Sequence, residues 1–159
     1  MSVVESVFVA TEETPAQVAA WLVGVARCEV TAAEGSLIRL RMPATVHDGW
    51  YGVVVQPNGY VEVDPEPDDV QAMDPYDIEI QLRGGRDEAA LRAEAGLLFA
   101  ALVHDRADLP MLLVHDLAIL VAAHMPGVGT RSFDWPTTPD GPDIAVWRGW
   151  AVERRSHGE

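Results

Sequence analysis

Met111-Leu-Leu-Val-His-Asp-Leu-Ala-Ile-Leu-Val-Ala122 decides how this chain folds. As a hairpin, it forms strands over 111–115 and 117–122 that turn at His115-Asp116. As a buried helix, it runs as one rod from Asp116. Periodicity does not separate short apolar runs, and the hairpin is the expectation carried forward, with the helix as its alternative. The stretch lies within the longest apolar run, 109–125, whose centre carries His115 and Asp116. An ionisable pair at mid-bilayer costs on the order of several kcal/mol, so this run is not read as a membrane span.

Working outward, residues 88–105 precede this hairpin as a helix. Gly84-Gly85 stops the strand before it and Asp87 caps it, while Leu91, Ala95, Leu98 and Leu102 form its apolar face with Phe99 and Val103 alongside. Further back, residues 28–82 break into short strands over 28–31, 36–42, 50–56, 60–64 and 77–82, an antiparallel meander. Pro57-Asn58-Gly59 reads as a hairpin turn between two of them, because Asn and Gly tolerate positive φ. An opening strand over 3–9 leads into a first helix. Thr14, Pro15 and Gln17 form its capping box, Val18, Trp21, Leu22 and Val25 its buried stripe, and Arg27 marks its end. After residue 125, Gly, Pro and Trp residues suggest an extension laid over the domain, with 144–152 as an edge strand. The expected fold class is α+β: an antiparallel sheet of about six to eight strands with two main helices on one face. Residues 1–159 are read as a single domain, with a core over 1–125 and a C-terminal extension over 126–159.

Length and charge bound the function. The chain has 159 residues, 48% of them apolar, and 11 basic against 25 acidic side chains give a formal charge of −14. One core of this size needs neither disulfide nor structural metal, and the charge argues against general nucleic-acid binding. Every basic residue other than histidine is Arg, which removes Schiff-base chemistry and Walker-type phosphate loops. Cys28 stands alone, so no intramolecular disulfide or thiolate cluster forms. The first ten residues carry Glu5 and no positive side chain, unlike a secretory signal, and a cytoplasmic location is expected.

Candidate chemistry is thin. His47-Asp48, His104-Asp105 and His115-Asp116, with His124 nearby, are similar to the metal-binding pairs of phosphohydrolases, but those sit on a mostly helical scaffold, whereas His47 reads as loop and His115 as turn, so helix-end and turn roles are the expected ones. The run Asp64-Pro-Glu-Pro-Asp-Asp69 has the alternating carboxylates of a calcium loop, yet Asp69 stands where a Gly is needed and Pro75 where a bidentate Glu should close the site. Asp87 would repel an anion at Gly84-Gly85-Arg86, Cys28 has the setting of a buried thiol, and no serine lies in a nucleophile elbow. No catalytic residue, metal ligand or cofactor is assigned.

The positive signal is the spread of charge. Residues 1–82 hold 14 acids against 3 Arg, a sum of −11, whereas residues 83–159 hold 11 acids against 8 Arg, a sum of −3. Eight acids fall between residues 62 and 79 without a single Arg. A proline-braced acidic ridge of this kind suits a basic partner, because complementary fields speed encounter and disfavour wrong partners. Glu62, Asp64, Glu66, Asp68, Asp69, Asp74, Tyr76 and Asp77 are the expected partner-binding residues, with Trp50, Tyr51 and Tyr60 beside them.

The stretches Val7-Phe-Val-Ala-Thr-Glu-Glu-Thr-Pro-Ala-Gln-Val18, Leu97-Leu-Phe-Ala-Ala-Leu102 and Leu112-Leu-Val-His-Asp-Leu-Ala-Ile-Leu-Val121 carry a family likeness over about the first 125 residues. Their layout resembles the small immunity proteins that protect bacteria from their own polymorphic toxins, in particular the group paired with swarming-inhibition toxins of myxobacteria. The resemblance implies a non-enzymatic inhibitor that binds one cognate protein toxin and covers or distorts its active site. It implies neither direct nucleic-acid binding nor a membrane. Two alternatives stand beside it: a small metal-dependent hydrolase using His104, Asp105, His115 and Asp116, and an acidic mimic of nucleic acid.

Overall fold

The computed structural model describes residues 3–59 and 70–153. In chain order these form β1 (Val4–Val9), α1 (Pro15–Ala26), β2 (Glu29–Glu34), β3 (Leu37–Pro43), β4 (Trp50–Pro57), β5 (Ile78–Arg83), α2 (Glu88–Asp105), β6 (Met111–His115), β7 (Ile119–Met125), β8 (Gly129–Ser132) and a one-turn α3 (Ile144–Trp147). The eight strands make a single sheet in the order β2-β3-β4-β5-β1-β6-β7-β8, and every neighbouring pair is antiparallel. This is the α+β class expected from the sequence.

The local signals at helix starts act as written. Thr14 accepts from the Gln17 amide at 3.2 Å while Gln17 accepts from the Thr14 amide at 2.8 Å, which satisfies two donors that a helix start would leave unpaired. Arg27, at φ 58°, ends α1, and the Cys28 amide closes onto the Leu22 carbonyl at 3.3 Å. Asp87 caps α2 through the amides of Ala89 and Ala90 at 3.0 and 3.2 Å.

The decisive stretch is a hairpin. Asp116 and Leu117 both sit at positive φ, 50° and 58°, and the Ala118 amide donates to the His115 carbonyl at 3.0 Å. That pairing of angles is the primed turn whose twist matches the flanking strands, and β6 and β7 close from it. The helix alternative from Asp116 is set aside.

Alternation sorts the sheet into two faces. Val7 and Val9 of β1, Ile38, Leu40 and Met42 of β3, and Ile78, Ile80 and Leu82 of β5 point to one side, where α1 and α2 bury them with Val18, Leu22, Leu91, Leu98 and Leu102. Phe8, Leu112, Val114, Leu120 and Ala123 point to the other side. There they meet Ala72, Met73 and Tyr76 of the segment entering β5, together with Phe133, Trp147 and Ala151 of the C-terminal segment. β1 is therefore sandwiched between two cores. The other half of that second face, over β3, β4 and β5, presents Arg39, Arg41, Gly52 and Arg83 to solvent.

Two local expectations are corrected. Pro57-Asn58-Gly59 does not lead β4 into its sheet neighbour, because β4 pairs with β5 in the register Pro57↔Ile78; the strand expected over 60–64 lies outside the described residues. Asn58 instead gathers the chain returning to β5. Its backbone amide donates to the Asp77 carbonyl at 2.9 Å, and its side chain donates to the carbonyls of Met73 and Tyr76 at 2.8 and 2.9 Å. The edge strand expected over 144–152 is α3 followed by a 3₁₀ turn, Arg148–Trp150, and the edge is β8. Ile144, Trp147 and Ala151 recur at helical spacing, which turns all three toward the second core.

Candidate partner-binding surfaces

The expected acidic site divides in three. Glu62, Asp64, Glu66, Asp68 and Asp69 lie outside the described residues. Asp74 and Tyr76 are buried, a correction to their expected contact role. Asp74 accepts from the Gln71 amide at 3.0 Å, a bond within the segment before β5, while the Tyr76 hydroxyl accepts from the Val152 amide at 3.1 Å and holds that segment against the C-terminal one. Burial pushes the Tyr76 phenol well above its ordinary range. Asp77 is exposed, and its carboxylate accepts from the Thr11 amide at 3.0 Å just ahead of α1.

Glu79, in the same acidic run, is fully buried. It accepts from Ser6 at 3.0 Å, Gln56 at 2.9 Å and Gln81 at 3.1 Å, with Arg83 donating to Gln81 in turn. A buried carboxylate needs such donors to offset lost hydration. Its charge belongs to the sheet rather than to a ridge.

His47, His115 and His124 are separated and bonded apart. His47 donates from Nδ1 to the Asp48 carbonyl at 2.6 Å and accepts from the Tyr51 hydroxyl at 2.8 Å. The buried His124 donates to the Ala107 carbonyl and accepts from the Thr130 hydroxyl, both at 2.8 Å. His115 donates to buried Glu5, the residue paired with it across β1 and β6. Asp105 accepts from the Trp21 indole at 2.6 Å. Among the described residues no three His, Cys, Asp or Glu side chains converge as a metal site. Burial pushes the Cys28 thiol up to about 11, which leaves it a packed, unreactive group at neutral pH.

Three arrangements lie outside the sequence-based expectations. In the first, Trp135 packs against His115 with centroids 5.2 Å apart and the rings tilted by 53°, and Arg92 lies 4.3 Å over the same indole, so the C-terminal segment is pinned to the Glu5–His115 pair. Burial raises the Glu5 carboxyl, and the bond to His115 opposes that rise. In the second, Glu94 of α2 is buried and accepts from both the amide and the hydroxyl of Thr45, fixing the loop between β3 and β4. Pairings of this length leave no local pattern to read.

The third is a surface. An apolar groove of about 350 Å³ runs between α1 and the sheet's edge, lined by Ala16, Ala20, Val23, Val30, Ala33 and Ile38 among others. A signal for it existed: α1 carries no charged residue from Pro15 to Ala26, in a chain of net charge −14. A second cleft, about 340 Å³, lies between the segment entering β5 and the C-terminal turns, with Gln71, Asp74, Trp147 and Arg148 on its walls. No helix among the described residues is long and apolar enough to cross a membrane. No family model, curated protein or solved structure matches the chain.

Proposed function

We propose that this chain is a non-catalytic immunity protein of the cytoplasm that neutralises a cognate, basic protein toxin by binding it directly. The observation that carries the reading is the charge: −14 overall, with −11 concentrated in residues 1–82. A field of one sign accelerates encounter with a partner of the other and discriminates against acidic proteins. The reading also draws support from how its polar side chains are used, since the histidines and buried carboxylates described above are engaged in holding strands and loops together. Asp77 and the carboxylates of Glu62, Asp64, Glu66, Asp68 and Asp69 supply the negative face that meets the toxin.

The test is co-expression with the toxin encoded by the neighbouring reading frame. The chain is expected to restore growth and to co-purify with the toxin domain in a complex that weakens as salt is raised. Growth arrest in its presence, with no complex at low salt, would overturn the proposal.

A further inference from the structure

Glu5 alternates with Val7 and Val9 along β1, so its side chain points to the helix side of the sheet, where it is 2% exposed. Its neighbours in register are Leu82 of β5 and His115 of β6, and His115 bonds to it through Nδ1. Among the described residues three charged groups act on Glu5. His115 and Arg92 of α2 favour its ionised form, and Asp116, in the turn after β6, opposes it. A carboxylate buried in this way is costly unless a proton or a cation accompanies it.

Trp135 covers this pair from outside. The Phe133 amide donates to the Val121 carbonyl at 2.9 Å, and the Leu120 amide donates to the Thr137 carbonyl at 2.8 Å, so residues 134–136 form an arch beside β7 between two bonds. The indole in that arch packs against His115 and carries the Arg92 guanidinium above its ring, yet it stays 49% exposed. Arg92 thus has two alternative partners, the indole and Glu5. It rests on the indole while a proton between Glu5 and His115 leaves that pair without net charge.

We infer that Glu5, His115, Arg92 and Trp135 form a proton-operated latch, closed while Glu5 and His115 share a proton and opened when that proton leaves as pH rises. Its loss turns the pair into a buried carboxylate beside an uncharged imidazole. A guanidinium is held on a half-exposed indole far more weakly than a buried carboxylate demands a cation. Arg92 therefore turns to Glu5, and Trp135 loses both the guanidinium above it and the charge of the pair beneath it. The sign follows from burial: a site that binds its proton more tightly when covered favours the covered state at lower pH. Opening frees the arch and bares an indole, the kind of side chain that dominates protein contacts, while Phe133 and Trp147 stay in the second core.

The experiment follows the full chain by NMR from about pH 5 to about pH 9, a range that spans the charge change of histidine side chains. Nuclear Overhauser contacts between the Trp135 and His115 rings are measured in wild type, Glu5→Gln and Arg92→Gln, with Trp135→Phe to assign the indole. In wild type these contacts should weaken in one step, by about fivefold or more on the high-pH side. Glu5→Gln has no carboxylate to draw Arg92 away, so its ring contacts should persist throughout. Arg92→Gln lacks the cation that replaces the proton, so its step should move to higher pH. Arg92 is exposed on α2, and its replacement keeps the test decisive even where Glu5→Gln fails to fold. Ring contacts in wild type that are constant or strengthen as pH rises would overturn the latch. So would a step kept unchanged by Glu5→Gln, or one that Arg92→Gln leaves in place or lowers.

Discussion

The Tyr76 hydroxyl accepts from the Val152 amide and has no role at a surface, which makes it a sensitive residue for separating interior from interface. Tyr76→Phe should leave that amide short of a partner and destabilise the fold by about 1 kcal/mol, read by denaturant unfolding, with toxin affinity unchanged. Weaker binding at unchanged stability would return Tyr76 to the contact surface. Glu5 offers a second reading at this scale. Burial raises its carboxyl above the ordinary 4.5, so the folded chain holds a proton there that the unfolded chain has lost, and the stability it contributes falls as pH rises through that window. Wild type should therefore lose stability relative to Glu5→Gln as pH climbs just above 4.5; a gap that moves in favour of wild type would contradict the burial argument. Residue types alone showed these carboxylates as charge. Glu79 finds Ser6 at a separation of 73 positions, and nothing local to either announces the bond.

Elements were legible where their signals are local. Thr14 with Gln17, and Asp87, fix the starts of α1 and α2 through bonds spanning three residues or fewer, and the structure reproduces both. β4 was legible as a strand, but its neighbour was not, because the partner β5 returns only after the acidic run and is gathered in by Asn58. The C-terminal segment misled for a related reason: β-forming side chains such as Ile144 and Trp147 suggested a strand, whereas their spacing suits the turn of helix that buries Trp147. Its indole also donates to the Asp140 carbonyl at 3.2 Å. Trp147→Ala should cost about 3 to 5 kcal/mol, since it empties a site between the sheet and the C-terminal segment. Unfolding midpoints measure this directly, and a loss below about 1 kcal/mol, the scale of an ordinary surface change, would mean that the segment is not part of the core.

For the whole molecule, the sheet divides two cores. One face carries α1 and α2, the other carries the C-terminal segment over β1, β6 and β7, and among the described residues β2 ends the sheet at the far side, beside the apolar groove. Of the expected site, the charge was readable in the sequence, but its placement was not: Asp74 and Tyr76 went inward, Asp77 stayed outside, and the apolar groove is marked in the sequence only by the absence of charge along α1. A protein so far from neutrality should find a basic partner by long-range attraction, which salt screens over a Debye length of about 10 Å at 0.1 M. The most direct measurement is therefore the association rate of this chain with the toxin domain across a salt series. The account predicts a rate that falls steeply, by about tenfold or more between low salt and about 0.5 M, while dissociation changes far less. An association rate indifferent to salt would contradict it.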